Sequence, residues 1–129
     1  MTLQFGFLGL GFMAATHIQA LAHVPGTLDF AKGFAALLKP DGVATFEFPH
    51  VLNLINDVQF DTIYHEHFFY LSLVAVEKIF ASAGLRVFDV EELPTHGGSL
   101  RVFACRKEGK HIESDSVAAL RTKEQVAKL

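Results

Sequence analysis

The spacing of apolar residues divides the chain into short strands and helices. Helical periodicity is shared by four segments, at about 12–22, 28–38, 71–83 and 113–129. Apolar or alternating strand patterns are shared by four others, at 3–10, 43–48, 85–90 and 99–105. In chain order these segments run β-α-α-β-loop-α-β-β-α, which predicts an α/β fold.

Proline and glycine mark several of the boundaries. A tight turn is predicted at 39–42 by the sequence KPDG. Pro49 predicts the end of a strand, and Gly84 predicts the end of a helix. Because only the short loop at 95–98 separates the last two strands, we expect them to pair antiparallel.

Four consecutive polar residues, Tyr64, His65, Glu66 and His67, are enclosed on both sides by apolar and aromatic residues. Imidazole and carboxyl groups in such surroundings are suited to general acid–base chemistry, and a phenol can stabilise a developing enolate. The competing interpretation is that one imidazole is a buried core histidine and that Glu66 caps the helix that follows. We interpret the cluster as a proton-handling pocket.

The backbone conformation decides which of these four side chains converge. An extended segment would place Tyr64 and Glu66 on one side and His65 and His67 on the other. A helical or turn geometry is needed to bring all four together, and the sequence leaves this open.

A glycine-rich turn lies near the start of the chain. Gly9, Gly11 and Ala14 form the pattern G-x-G-x-x-A, in which glycines let a pyrophosphate approach a helix N-terminus. This favours a small NAD(P)-binding domain as an alternative function. The acidic residue expected about 20 positions on has only Asp29 as a candidate, at the start of a predicted helix. A tight strand-to-helix turn without a ligand is the better explanation of the pattern.

Charge and cysteine content exclude several classes of protein. The net charge is −3, and the basic residues form no stripe, so we expect no nucleic-acid partner. The single Cys105 excludes a disulfide framework and a cysteine-cluster zinc site. The expected location is cytoplasmic.

The chain is apolar for its size. Half of its 129 residues are hydrophobic, yet no apolar run reaches the roughly 18 residues of a membrane span, so no membrane partner is expected. The excess of apolar residues indicates surface meant for burial, by self-association or by a missing complementary half.

Two parts of the chain resemble different families. The first 20 residues are similar to the opening of nicotinamide-dependent sugar and inositol dehydrogenases. From about Leu21 onward the chain resembles the S-adenosylmethionine-dependent nucleotide-sugar C-methyltransferases. The motifs that carry this second resemblance are FAALLKPDGVATFEFPH (34–50), FDTIYHEHF (60–68), LSLVAVEKIFASAGL (71–85) and VFDVEELPTHGGSLRVF (87–103).

The second resemblance implies a partial class I methyltransferase (Rossmann-like) sheet with three layers, ending in an antiparallel strand pair. Residues 43–48 would form its fifth strand, and the N-terminal strand would take the place of the fourth. The implied domains are 1–112, with the dehydrogenase-like part at 1–20, and 113–129 as the start of a C-terminal helix or domain.

It also implies a reaction. The enzyme removes a proton beside the ketone of a keto nucleotide-sugar, and S-adenosylmethionine methylates the resulting enolate carbon. His67 resembles the general base, with Glu66 and Tyr64 as catalytic partners. The residues expected to contact the substrate are His65, His50, His96, Gly97 and Arg101.

The family pattern is incomplete here. Its acidic, glycine-rich cofactor turn is missing, so we expect the isolated chain not to methylate; only Gly9, Gly11 and Ala14 remain as weak cofactor contacts. A metal site built from His65, His67 and Glu66 with His50 and His96 is a minor alternative, because the H-x-H spacing alone is not specific. Of the other histidines, His17, His23 and His111 are expected to be helix or surface residues.

Overall fold

The computed structural model describes residues 15–18 and 21–129. Within this part of the chain the strands are β1 (Ala15–Ile18), β2 (Val43–Pro49), β3 (Leu85–Leu93) and β4 (Ser99–Arg106). The α-helices there are α1 (Thr27–Leu37), α2 (Val51–Asn56), α3 (Leu73–Ser82) and α4 (Asp115–Val126). None of the helices in the described ranges is long and apolar enough to cross a membrane.

The four strands form one sheet in the order β1-β2-β4-β3. β1 and β2 are parallel, with Ala15 opposite Val43, and their carboxyl ends therefore meet at the same edge. β4 pairs antiparallel with both β2 and β3, which confirms the antiparallel pairing predicted for the last two strands. The α/β class is likewise confirmed.

Local signals explain where the elements begin and end. The predicted turn at 39–42 closes with a hydrogen bond of 2.9 Å from the Gly42 N–H to the Lys39 carbonyl. Ser72 caps α3, because its hydroxyl accepts a hydrogen bond from the Ala75 N–H at 3.1 Å. Gly84 follows that helix with φ +81°, a left-handed conformation that glycine adopts at little cost.

The hydrophobic core lies between one face of the sheet and three helices. Phe46 of β2 is fully buried, and its ring contacts Phe34 of α1 and Phe80 of α3 at centroid distances of 5.1 and 5.0 Å. Val117 and Leu120 bring α4 into the same core. In the described residues α1, α3 and α4 thus cover a single face, so the three-layer arrangement stays a prediction.

The helix predicted at about 12–22 is wrong. The structure has the strand β1 there, followed by a single 3₁₀ turn at Leu21–His23. Pairing with β2 supplies the backbone hydrogen bonds that a helix would form locally, and tertiary pairing therefore overrides the helical spacing. The predicted strand at 3–10 and the Gly9–Ala14 turn lie outside the described residues.

Candidate active site

A cavity of about 550 Å³ lies where β2 ends. Four segments line it: the 3₁₀ turn that ends at His23, the end of β2, the chain from 59 to 67, and the loop that leads into β4. The lining residues are Glu47, Phe48, Pro49, Gln59, Asp61, Thr62, Tyr64, His67, Gly97 and Ser99, together with His23. The carboxyl edge of parallel strands is where open α/β sheets bind ligands.

A turn brings Tyr64 and His67 together. The His67 N–H donates a hydrogen bond of 3.1 Å to the Tyr64 carbonyl, so the two side chains lie on the same side of the chain. Their ring centroids are 4.3 Å apart. The backbone geometry that the sequence left open is therefore a turn. Of the four polar residues at 64–67, it brings Tyr64 and His67 together.

The hydrogen bonds of His67 fix which ring nitrogen carries the proton. Nδ1 lies 3.1 Å from the Thr62 carbonyl oxygen, which can only accept, so Nδ1 is the N–H donor. In the neutral imidazole Nε2 then holds the lone pair, and it accepts a hydrogen bond from the Tyr64 hydroxyl at 3.2 Å. The cavity is thus lined by an imidazole held as a base, with a phenol beside its basic nitrogen.

His23 is a second imidazole in this cavity. Its ring contacts that of His67 edge-to-face at 4.8 Å, and a hydrogen bond of 2.9 Å from the Phe68 N–H to the Ala22 carbonyl holds the two segments together. His23 lies in the 3₁₀ turn Leu21–His23, which agrees with the expected helix or surface residue, but it is also partly buried and lines the cavity, which the sequence did not indicate. No local pattern marks it, since its neighbour His67 is 44 positions away.

Glu47 brings a carboxylate to the cavity wall. It is only 5% exposed, and its oxygens accept hydrogen bonds from Arg101 at 3.0 Å and from the Thr95 hydroxyl at 3.3 Å. In the sequence Glu47 is one residue of the predicted strand at 43–48, and nothing there assigns it to a site. Its one available signal was an acidic residue inside an otherwise apolar strand next to Pro49.

Arg101 lies behind this wall. Its guanidinium binds Glu47 and also Glu91, at 3.1 Å, and it is not among the residues that line the cavity. Arg101 thus holds a cavity carboxylate in place, and its expected contact with the substrate stays a prediction.

The predicted glycine loop does reach the cavity, at Gly97. The Gln59 side chain donates a hydrogen bond of 2.6 Å to its carbonyl. A Cβ at Gly97 would come within 2.5 Å of that side chain, and φ is +76°, so the close approach requires glycine. His96 lies in the same 3₁₀ turn, Thr95–Gly97.

Two of the predicted site residues do not line the cavity. His65 and Glu66 are both exposed to solvent. Their catalytic and substrate contacts stay predictions.

His50 is buried in the protein interior instead. Its Nε2 lies 2.7 Å from a Glu124 oxygen, and both side chains are inaccessible to solvent. Glu124 also accepts hydrogen bonds from the N–H groups of Leu73 at 2.6 Å and Val74 at 3.0 Å, at the start of α3. Burial alone would raise the pKa of Glu124, but the bonds from His50, Val74 and Leu73 outweigh it and lower that pKa.

The described residues do not form a metal centre or a complete cofactor site. No group of three His, Cys, Asp or Glu side chains among them is placed to hold a metal ion. S-adenosylmethionine carries a ribose diol, which a carboxylate commonly binds. Glu47 is already held by Arg101 and Thr95, and Asp61 is exposed, so these carboxylates do not fit that role. Gly9, Gly11 and Ala14, the predicted cofactor contacts, lie outside the described residues.

Comparisons with known proteins agree on one class of enzyme. Residues 94–129 match the family described as the C-methyltransferase C-terminal domain. C-methyltransferase NovU of Streptomyces niveus is 42% identical over 107 residues, which are 83% of this chain and 26% of NovU. Both matches support a C-methyltransferase fragment. The chain spans about a quarter of the length of that relative.

Proposed function

We propose that this chain is the catalytic half of an S-adenosylmethionine-dependent C-methyltransferase that acts on a keto nucleotide-sugar. The observation that carries the proposal is the His67–Tyr64 pair, which lines a cavity at the sheet edge with the imidazole held as a base.

The strand order supports the fold implied by the proposal. In a class I methyltransferase sheet, β1 and β2 would be the fourth and fifth strands, and β3 and β4 the closing antiparallel pair. A parallel pair followed by antiparallel strands in the order β1-β2-β4-β3 agrees with that assignment.

The described residues account for the proton-transfer step. Nε2 of His67 takes a proton from the carbon beside the ketone, and the electrons of that C–H bond form the double bond of an enolate. The Thr62 carbonyl then stabilises the imidazolium through the Nδ1–H bond. Once the ketone has displaced it from Nε2, the Tyr64 hydroxyl can donate to the ketone oxygen, where negative charge develops.

In this proposal the methyl donor binds to another part of the enzyme. S-adenosylmethionine would supply the methyl group to the enolate carbon, and the segment that binds it lies outside the described residues. Methylation is therefore expected of a completed enzyme, whereas proton removal is expected of this chain.

A segment exchange tests the proposal. The matched segment of NovU is replaced by the corresponding residues of this chain, and methyl transfer to a keto nucleotide-sugar is measured. We expect the chimera to methylate and His67→Ala to reduce its rate by about 10²-fold or more, the usual contribution of a general base.

The matched control is His111→Ala, which removes an imidazole that stacks on Phe88. This variant should keep the activity of the chimera. Undiminished methylation by the His67→Ala chimera would remove His67 from the mechanism.

A further inference from the structure

We propose that Gln59 is a specificity-determining residue of this cavity, whose side-chain carbonyl accepts a hydrogen bond from a ring hydroxyl of the sugar. The inference rests on the proposed function and adds to it a residue that lies outside the resembling motifs.

The first support is the orientation of the Gln59 amide. Its Nε2 donates hydrogen bonds to the Gly97 carbonyl at 2.6 Å and to an Asp57 carboxylate oxygen at 3.1 Å. A carbonyl and an ionised carboxylate can only accept, so the other terminal atom of the amide is the carbonyl oxygen, Oε1. Oε1 is accessible and accepts no hydrogen bond within residues 15–18 and 21–129. The polar atom that the side chain leaves for a ligand is therefore an acceptor.

The second support is the set of contacts that hold Gln59 in place. Its backbone N–H donates to the Leu54 carbonyl at 3.0 Å, and its backbone carbonyl accepts from the Thr62 hydroxyl at 2.8 Å. Its side chain lies so close to the glycine loop that a Cβ at Gly97 would come within 2.5 Å of Oε1. An acceptor that is already fixed loses little conformational entropy on binding, so more of the hydrogen bond contributes to affinity.

The third support is the character of the cavity wall. The Thr62 hydroxyl is committed to the Gln59 carbonyl as a donor. The Ser99 hydroxyl likewise donates to the Thr95 carbonyl at 3.1 Å, so both hydroxyls leave lone pairs for a ligand. Asp61 adds a carboxylate, and no lysine or arginine is among the described residues that line the cavity. Such a wall favours groups that donate hydrogen bonds and repels phosphate, so the hydroxyl-bearing sugar ring fits it better than the diphosphate does.

The fourth support is the connection between this acceptor and the base. Thr62 contacts both, because its hydroxyl bonds to the Gln59 carbonyl and its own carbonyl accepts from Nδ1 of His67 at 3.1 Å. Gln59 and His67 therefore belong to one hydrogen-bonded segment. A hydroxyl bound to Gln59 has a set position relative to Nε2 of His67, which helps to place the carbon beside the ketone at the base.

Solvent exchange of the substrate proton tests this contact, because it requires no methyl donor. The 129-residue chain is mixed with a nucleoside diphosphate 4-ketohexose in D₂O, and deuterium incorporation beside the ketone is measured at several substrate concentrations. The measurement is repeated with the analogues that lack the 2-hydroxyl or the 3-hydroxyl of the sugar. Rates are expressed per folded molecule, from the thermal unfolding curve of each protein.

The variants are Gln59→Met and Gln59→Leu, which both remove the amide and keep an apolar side chain. The matched control is Gln125→Met, at an exposed position of α4. With the parent sugar, we expect both Gln59 variants to lower the ratio of exchange rate to half-saturating concentration by about 3- to 10-fold, the net effect of one neutral hydrogen bond.

The deoxy analogues show whether that loss belongs to a sugar hydroxyl. With the analogue that lacks the bound hydroxyl, the Gln59 variants should match the wild-type chain, because the partner of Oε1 is gone. Each comparison of proteins uses a single substrate, so differences in acidity between the sugars cancel. A glutamine that only supports the loop would lower exchange of all three substrates by the same factor.

Each outcome separates the two proposals. An equal effect of the Gln59 variants on all three substrates, or no effect on any, overturns the role of Gln59 and leaves the proposed function standing. Absence of exchange above the buffer rate in the wild-type chain overturns the proposed function, and the role of Gln59 with it.

Discussion

At the scale of single residues, the ability of a histidine to act as a base depends on the hydrogen bonds that fix its tautomer. His67 has one nitrogen bound to a carbonyl and the other bound to a phenol, so its tautomer follows from hydrogen-bonding rules alone. The sequence indicated Tyr64 and His67 as members of one short motif, but it could not predict their pairing, because an extended segment would have placed them on opposite sides. His23 and Glu47 could not be predicted as cavity residues, because they reach the cavity through contacts between distant segments.

Tyr64→Phe tests the partner of the base. The change removes the hydroxyl from His67 Nε2 and from the proposed ketone contact, and the ring stays in place. We expect α-proton exchange to slow by about 10- to 10²-fold, as for the loss of one donor to an oxyanion. The thermal unfolding midpoint should hardly move, because the side chain is 45% exposed and its ring is kept; a large loss of stability would contradict this role.

At the scale of the elements, periodicity predicted most of the fold. The helices α1 and α3, the strands β2 and β4 and the turn at 39–42 follow from spacing and stop signals in their own sequences. β1 was missed because its partner, β2, is some 28 residues away. The His50–Glu124 contact was missed for the same reason, since 74 positions separate its members.

Glu124→Ala tests how much the contacts of Glu124 with His50 and with the start of α3 stabilise the fold. The substitution leaves His50 and the Leu73 and Val74 N–H groups buried without their acceptor. We expect a loss of about 3–5 kcal/mol in the free energy of unfolding, measured by urea denaturation. Glu108→Ala, at an exposed turn, is the control and should change it by less than about 0.5 kcal/mol.

The same carboxylate predicts how stability depends on pH. The folded-state pKa of Glu124 lies below its ordinary value of 4.5, so its contribution is fully present above about pH 4.5. That contribution is lost as the pH falls through the lower folded-state value. The urea midpoint of the wild-type protein should therefore drop below pH 4.5, and Glu124→Gln should flatten the drop. Parallel curves for the two proteins would contradict the assignment.

At the scale of the whole molecule, an exposed apolar surface lies along residues 55–69, the segment that also supplies part of the cavity wall. We call it the apolar rim: the exposed side chains Ile55, Val58, Phe60, Ile63, Tyr64, Phe68 and Phe69. Exposed apolar patches of this kind commonly become buried in an interface. The excess of apolar residues predicted from composition is thus concentrated beside the candidate site.

We propose that the isolated chain binds a second copy of itself through the apolar rim. Sedimentation velocity should show a dimer or larger species whose fraction rises with concentration. Phe60→Lys combined with Ile63→Lys should restore the monomer, because both side chains are exposed and would bring charge into the interface. Ile112→Lys, at an exposed position in another segment, is the control; a wild-type chain that stays monomeric throughout would contradict the proposal.

The most direct test of the whole account is the exchange of the substrate's α-proton with D₂O, comparing the wild-type chain with His67→Ala. The account predicts deuterium incorporation by the wild-type protein and a rate no higher than buffer for the variant. Equal incorporation by both proteins would contradict it.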